Sequence, residues 1–182
     1  MKVLVVVDMQ NDFISGSLGT QEAQYIVPRV VQKINDFDGA IAVTYDTHDS
    51  DYSNTQEGHL LPVSHCVHLT DGWRLQGDVM DAIDNKSAKT GLPAKTFLKG
   101  GFGSVELAQW LAEVNQDAGV ESITLIGVCT DICVISNAML LKAFLPEVPI
   151  FVDAACCAGV TPESHKNALA AMACCQIHIE GQ

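Results

Sequence analysis

The 182-residue sequence predicts an α/β fold: a doubly wound, mostly parallel six-stranded sheet with helices on both faces, a three-layer α/β/α arrangement. Three observations predict it. The strand candidates are short, continuous and rich in Val and Ile, as expected of strands covered on both faces. They alternate with stretches of helical periodicity, the pattern of βαβ units joined by right-handed crossovers. Hydrophobic residues make up 48% of the chain and charged residues 18%, a composition that favours a packed core over disorder.

Residues 2–7 form the first strand candidate, with five consecutive apolar positions from Val3 to Val7. A helix over 22–37 leads to a second strand over 39–44. Residues 46–94 then break the rhythm: Asp, His, Ser, Asn and Gly abound, and only 77–83 suggests a short helix. An insert of that length in a compact domain is usually functional. Regular alternation resumes with strands over 95–98, 122–126, 150–152 and 176–179 and helices over 105–118, 131–145 and 162–174. The helix over 131–145 is apolar enough to sit in the core or at an interface. The start of the last helix is marked by Thr161 as N-cap, Pro162 in the first turn and Glu163 as an early acid. With no repeat, low-complexity tract or linker, residues 1–182 read as a single domain carrying a loop-rich insert.

A net charge of −12 opposes binding to nucleic acid or an anionic membrane surface. The longest apolar runs fall far short of the ~20 residues a membrane span needs. The start does not resemble a signal peptide, since Asp8 soon follows Lys2 and a few apolar residues. Seven cysteines, four of them in the vicinal pairs Cys156-Cys157 and Cys174-Cys175, make no disulfide framework. Reduced thiols in the cytoplasm are expected, and those four read as core or supporting residues.

Open parallel sheets bind ligands at the carboxyl ends of their strands. Those ends offer Asp8 after the first strand, Asp46 and His48 after the second, Lys99 after the third and Cys133 after the fourth. Cys133 would sit in the first turn of a helix capped by Thr130. Free N–H groups and the positive end of the helix dipole favour thiolate there. A small buried hydrophobe is the alternative at that position. Asp8 ends a buried strand and could accept the thiol proton and return it to a leaving amine, or could simply cap the Gln10-Asn11-Asp12 turn. Lys99 could hold Asp8 ionised and lower the thiol pKa. Asp46 and His48, at i and i+2, point the same way from an extended segment. His65 could complete a triad for Zn²⁺, Fe²⁺ or Mn²⁺, with Glu57 joining directly or through a water. His59 and His68 are rival ligands from the same segment.

Five motifs in order carry a resemblance. They are Val5-Val6-Val7-Asp8-Met9-Gln10-Asn11-Asp12-Phe13, Asp46-Thr47-His48, Pro62-Val63-Ser64-His65-Cys66, Phe97-Leu98-Lys99-Gly100-Gly101-Phe102 and Gly127-Val128-Cys129-Thr130-Asp131-Ile132-Cys133-Val134. Together they resemble the cysteine hydrolases of the isochorismatase-like superfamily, whose best known amidases are the nicotinamidases. The resemblance implies a triad of Asp8, Lys99 and Cys133, a cis peptide between Val128 and Cys129, and an oxyanion hole from the Cys129 and Cys133 N–H groups. It implies Asp46, His48 and His65 as metal ligands with Glu57 nearby, a metal that binds the ring nitrogen of the substrate, and Phe13 and Phe102 as pocket aromatics. It also implies a homo-oligomer acting on a small amide, nicotinamide foremost. Two departures fall in the metal and substrate shell. Two residues rather than one separate Pro62 from His65, and Thr47 stands where tryptophan is frequent. Another amide or carbamoyl substrate, a Cys129/Cys133 dithiol redox centre and a non-catalytic ligand-binding module are the rival readings.

Overall fold

The computed structural model describes residues 1–182. The elements run β1 (Lys2–Val7), α1 (Asn11–Ile14), α2 (Gln21–Asp36), β2 (Ala40–Asp46), a 3₁₀ turn (Tyr52–Asn54), α3 (Gln56–Leu60), α4 (Gly77–Thr90) and β3 (Lys95–Lys99). There follow α5 (Val105–Ala118), β4 (Ser122–Val128), a π-helical turn (Thr130–Val134), α6 (Ile135–Phe144), β5 (Ile150–Ala158), α7 (Pro162–Cys174) and β6 (His178–Glu180). The six strands form one sheet in the order β3-β2-β1-β4-β5-β6, and every neighbouring pair is parallel.

Strand β1 explains the layers. Val3, Val5 and Val7 point to one face and meet Leu107 and Leu111 of α5, Ala138 and Leu141 of α6, and Met172 of α7. Leu4 and Val6 point to the other, where Ile26, Val30 and Ile34 of α2 and Val79 and Ile83 of α4 cover them. With period-two side chains buried both ways, the strand has no polar face, which is why it reads as an unbroken apolar run. The chain winds outward from β1 to β3, then returns to lay β4 on β1's other side. The strand order reverses between β1 and β4, and ligand crevices open at such a switch point.

Several elements differ from the expectation. Helix α4 continues to Thr90, where Gly91 at φ 71° ends it in the left-handed conformation. Strand β5 continues from Val152 through Ala158, because Asp153, a charge that interrupts the apolar pattern, is neutralised by Lys33 Nζ at 2.7 Å. The predicted 131–145 helix splits into a π-helical turn and α6. One face of α6 packs into the core, with Ala138 and Leu141 fully buried and Phe144 left exposed. Thr161 caps α7 in a reciprocal box with Ser164, as its sequence predicts. All seven cysteines are unpaired; Cys156 and Cys157 are buried, but Cys174 and Cys175 are exposed at the end of α7 rather than in the core. No helix is long and apolar enough to cross a membrane.

Candidate active site

Register delivers the first group of side chains. Val7 pairs with Thr44 on one side and Gly127 on the other, so the residues beyond these positions emerge together at one sheet edge. Gly127, at φ 118°, permits this approach: a Cβ there would lie 2.1 Å from the Val7 carbonyl oxygen. Asp8 follows at φ 48°, a left-handed conformation that aspartate tolerates better than most residues, with no solvent exposure. The Thr44 hydroxyl donates to Asp8 Oδ1 at 2.6 Å. Lys99, opposite Asp46 in the β2–β3 register, places Nζ 2.7 Å from Asp8 Oδ2, 3.2 Å from Asp46 Oδ1 and 3.5 Å from Cys133 Sγ. An acid, an amine and a sulfur from three strand ends therefore meet.

Cys133 lies in the π-helical turn, buried, and the carbonyl of Cys129 accepts from Ile132 N and Val134 N. The Val128–Cys129 peptide is cis. Thr130 does not cap this turn. Its hydroxyl is paired with His165 Nδ1 of α7 at 2.8 Å, while Asp131 Oδ1 accepts from Val160 N and Asn137 Nδ2 donates to the Cys133 carbonyl. The turn is thus braced from α7, from the β5–α7 loop and from α6.

Burial decides the protonation of this cluster and reverses one expectation. Desolvation, then the Asp8 charge, raise the Cys133 thiol well above 9.0, outweighing Lys99. Burial therefore favours the thiol over the thiolate at this sulfur. Burial likewise raises Asp8 above 3.8, against the pull of Lys99. Burial disfavours the Lys99 charge too, but Asp8 and the other neighbours overcome it and raise its pKa, so the ammonium persists. A thiol facing a carboxylate held by an ammonium is an arrangement in which the carboxylate can accept the thiol proton.

Asp46, His48 and His65, all buried, offer ligand atoms within 4.8 Å of one another. His48 Nε2 is 3.0 Å and His65 Nε2 3.3 Å from Asp46 Oδ2, and Glu57 Oε1 lies 3.6 and 3.7 Å from the same two nitrogens. His65 Nδ1 donates to the Val63 carbonyl at 2.8 Å, which leaves the Nε2 lone pair facing the cluster. Two imidazoles and a carboxylate suit a borderline divalent ion. The cluster holds Asp46 well below its usual range although burial works against it. The rival histidines stay outside: His59 is exposed on α3, and His68 packs edge-on against Trp73 at 4.9 Å.

Between these groups opens a cavity of about 200 Å³. Asp46, Glu57 and His65 line it with Cys129 and Cys133, and Phe13, Ile132 and Phe102 are among its apolar lining. Phe13 is buried with its ring 5.5 Å from that of His65, whereas Phe102 is 49% exposed. Asp8 and Lys99 are not part of the lining; both are buried against Cys133.

Three supporting residues escaped the sequence reading. Gln10, fully buried, accepts from Asp46 N and donates to the Asp46 and Trp73 carbonyls, clamping Asp46 by its backbone. Asp12 Oδ2 accepts from Cys66 N beside His65. Asn137 ties α6 to the Cys133 turn. Gln10 and Asp12 follow Asp8 at steps of two, the one signal that could have flagged them; Asn137 had only its polarity in an apolar helix.

A profile of the isochorismatase domain matches residues 2–181. The chain belongs to the isochorismatase family. This family member is an amidohydrolase, and its relatives are consistent in kind. Nicotinamidase of Saccharomyces cerevisiae is 29% identical over 180 residues, covering 76% of this chain and 80% of the yeast protein. A zinc complex of pyrazinamidase from Pyrococcus horikoshii superposes with a TM-score of 0.78 at 27% identity, over 98% of this chain and 97% of that one. A nicotinamidase/pyrazinamidase from Bacillus subtilis superposes at 0.84, over 98% of each chain; at 23% identity it speaks for the fold alone.

Proposed function

We propose that residues 1–182 form one cysteine amidohydrolase domain that converts nicotinamide to nicotinate and ammonia through a thioester. The observation that carries the reading is the Lys99 ammonium within 3.5 Å of Asp8, Asp46 and Cys133 at once. It gives a buried carboxylate a reason to stay ionised beside a thiol, which is what a proton acceptor for that thiol needs.

In this mechanism Cys133 Sγ attacks the amide carbonyl carbon as its proton passes to Asp8. The developing oxyanion is held by the Cys129 and Cys133 N–H groups. As the C–N bond breaks, Asp8 gives the proton to the departing nitrogen, which leaves as ammonia. A water molecule then yields a proton to Asp8 and adds to the thioester. The C–S bond breaks, the proton returns to sulfur and nicotinate departs. Lys99 keeps the charge of the site balanced throughout, and Phe13 and Phe102 flank the ring.

Asp46, His48 and His65 would hold a divalent ion, with Glu57 beside them directly or through a water. We favour zinc, the ion of the Pyrococcus relative, although iron and manganese suit the same donors. When bound, the ion supplies a Lewis-acid point for the ring nitrogen. A dithiol redox role is disfavoured because it gives no part to Asp8 and Lys99, which gather beside Cys133. The same reading sets the protein in a reducing cytoplasm, in keeping with seven unpaired cysteines, as a homo-oligomer; sedimentation reads the assembly directly.

The deciding assay is ammonia release from nicotinamide, pyrazinamide and a panel of other small amides, with and without chelator. Nicotinamide turnover that chelator suppresses and Cys133→Ala abolishes is the expected result. Turnover retained by Cys133→Ala refutes the mechanism, and preference for a carbamoyl compound moves the substrate.

A further inference from the structure

We propose that Asn137 is a positioning residue that sets the shape of the substrate cavity by tying the nucleophile turn to the loop that carries Phe102; this rests on the roles given to Cys133 and Phe102 above. Asn137 lies in the first turns of α6 and is 1% exposed. A primary amide can serve several partners, and this one does. Nδ2 donates to the Cys133 carbonyl at 2.8 Å and, with its second hydrogen, to the Phe102 carbonyl at 3.4 Å. Oδ1 accepts from Ser104 N at 2.9 Å. Cys133 and Phe102 both line the cavity, and each is anchored through its own main chain to the same side chain.

The loop has little else to fix it. Gly100, Gly101 and Gly103 flank Phe102, and no backbone N–H from Gly100 to Gly103 donates to another part of the main chain. A Cβ would have open space at Gly101 and nothing closer than 3.8 Å at Gly100. Only Gly103 is pressed against α6, where a Cβ would lie 2.5 Å from Leu140 Cδ1. The glycine contact brings the loop near the helix, and the Asn137 amide sets its register along it. Beyond Ser104, whose hydroxyl caps α5, the chain is again held by helix hydrogen bonds. Phe102 therefore rides on a short, permissive strip whose polar tie to the protein is Asn137.

Threonine at 137 separates the two arms. Its hydroxyl can bond back to the carbonyl four residues earlier, which is that of Cys133, but it is too short to reach Phe102 or Ser104. The test is nicotinamide kinetics for Asn137→Thr, Phe102→Ala and the two combined. We expect each single substitution to raise KM about fivefold or more, with kcat falling by a smaller factor, and the pair to have the KM of Phe102→Ala alone. Unchanged KM in Asn137→Thr, or effects that multiply in the pair, overturns the proposal. An Asn137→Thr protein without the native circular dichroism also overturns it, since the residue would then be structural.

A second measurement needs no amide turnover. Alkylation of Cys133, followed by peptide mass spectrometry, is timed with iodoacetamide and with the bulkier N-phenylmaleimide. The ratio of the two rates should change about threefold or more in Asn137→Thr, and Phe102→Ala should remove that change. A changed ratio in a protein whose wild type leaves nicotinamide intact defeats the substrate reading and sustains Asn137. Turnover with an unchanged ratio and KM defeats Asn137 alone.

Discussion

At the sulfur end of the cavity, Asp8, Lys99 and Cys133 hang from the ends of β1, β3 and β4, and the register of the sheet places them. At the imidazole end only Asp46 and His48 follow directly from a strand; His65 and Glu57 come from the insert, held by the Val63 carbonyl, by the short helix α3 and by the Asp12 bond to Cys66 N. Asp12, beside His65, and Gln10, which clamps the Asp46 backbone, both belong to the segment that follows Asp8. Charges at the first end are therefore part of the fold, whereas ligands at the second are fittings attached to it.

Lys99→Met puts the contrast to its hardest test. It leaves Asp8 and Asp46 facing each other in the core with no cation between them. A loss of about 3–5 kcal/mol in urea unfolding, together with loss of turnover, is expected. A variant of unchanged stability would show that the sulfur end is not bound up with the fold. Asp12→Ala addresses the other end. The protein should fold, but zinc affinity measured by competition with a chelating dye should fall about 10–100-fold. Unfolding of that variant would erase the distinction between the two ends.

The pH dependence of alkylation probes the sulfur end alone. Because burial and Asp8 raise the thiol, the thiolate fraction of resting Cys133 should still be climbing above pH 9.0. Asp8→Asn removes one of those causes and should move the rise to lower pH. A rise centred below pH 9.0 in the wild type would mean that Lys99 outweighs burial after all. The smallest effect is expected from Lys33→Met, the partly exposed counterpart of Lys99. Breaking its pair with Asp153 should cost about 1 kcal/mol once solvent screening is allowed for. Its pKa is raised above 10.5 by Asp153, so that contribution is fully present below pH 10.5 and is lost as pH climbs through the raised value.

The same division explains what could be read in the chain. Strand β1 was legible because five apolar residues in a row admit few alternatives, and α7 because Thr161 and Pro162 mark its start. Asp8 is read off the end of β1, and Lys99 and Cys133 off the ends of the strand candidates that become β3 and β4. What escaped was whatever depends on a distant partner. Strand β5 hid its second half because Asp153 needs Lys33 to be tolerated there. Thr130 resembles an N-cap until His165, from α7, takes its hydroxyl. The helix terminus that favours a thiolate at Cys133 is visible in sequence, whereas the depth of burial that opposes it is not. Asn137 has no neighbouring residue in the chain that announces its partners at Phe102 and Ser104.

Asp46 spends its two oxygens on different neighbours: Oδ1 meets the Lys99 ammonium, and Oδ2 meets both imidazoles. Replacing it to strip an ion from the protein would disturb the amine that steadies Asp8, so a dead Asp46 variant would not reveal which half had failed. His48 forms no hydrogen bond or ion pair with Lys99 or Asp8, and exchanging it is the cleaner lesion for asking what the ion contributes.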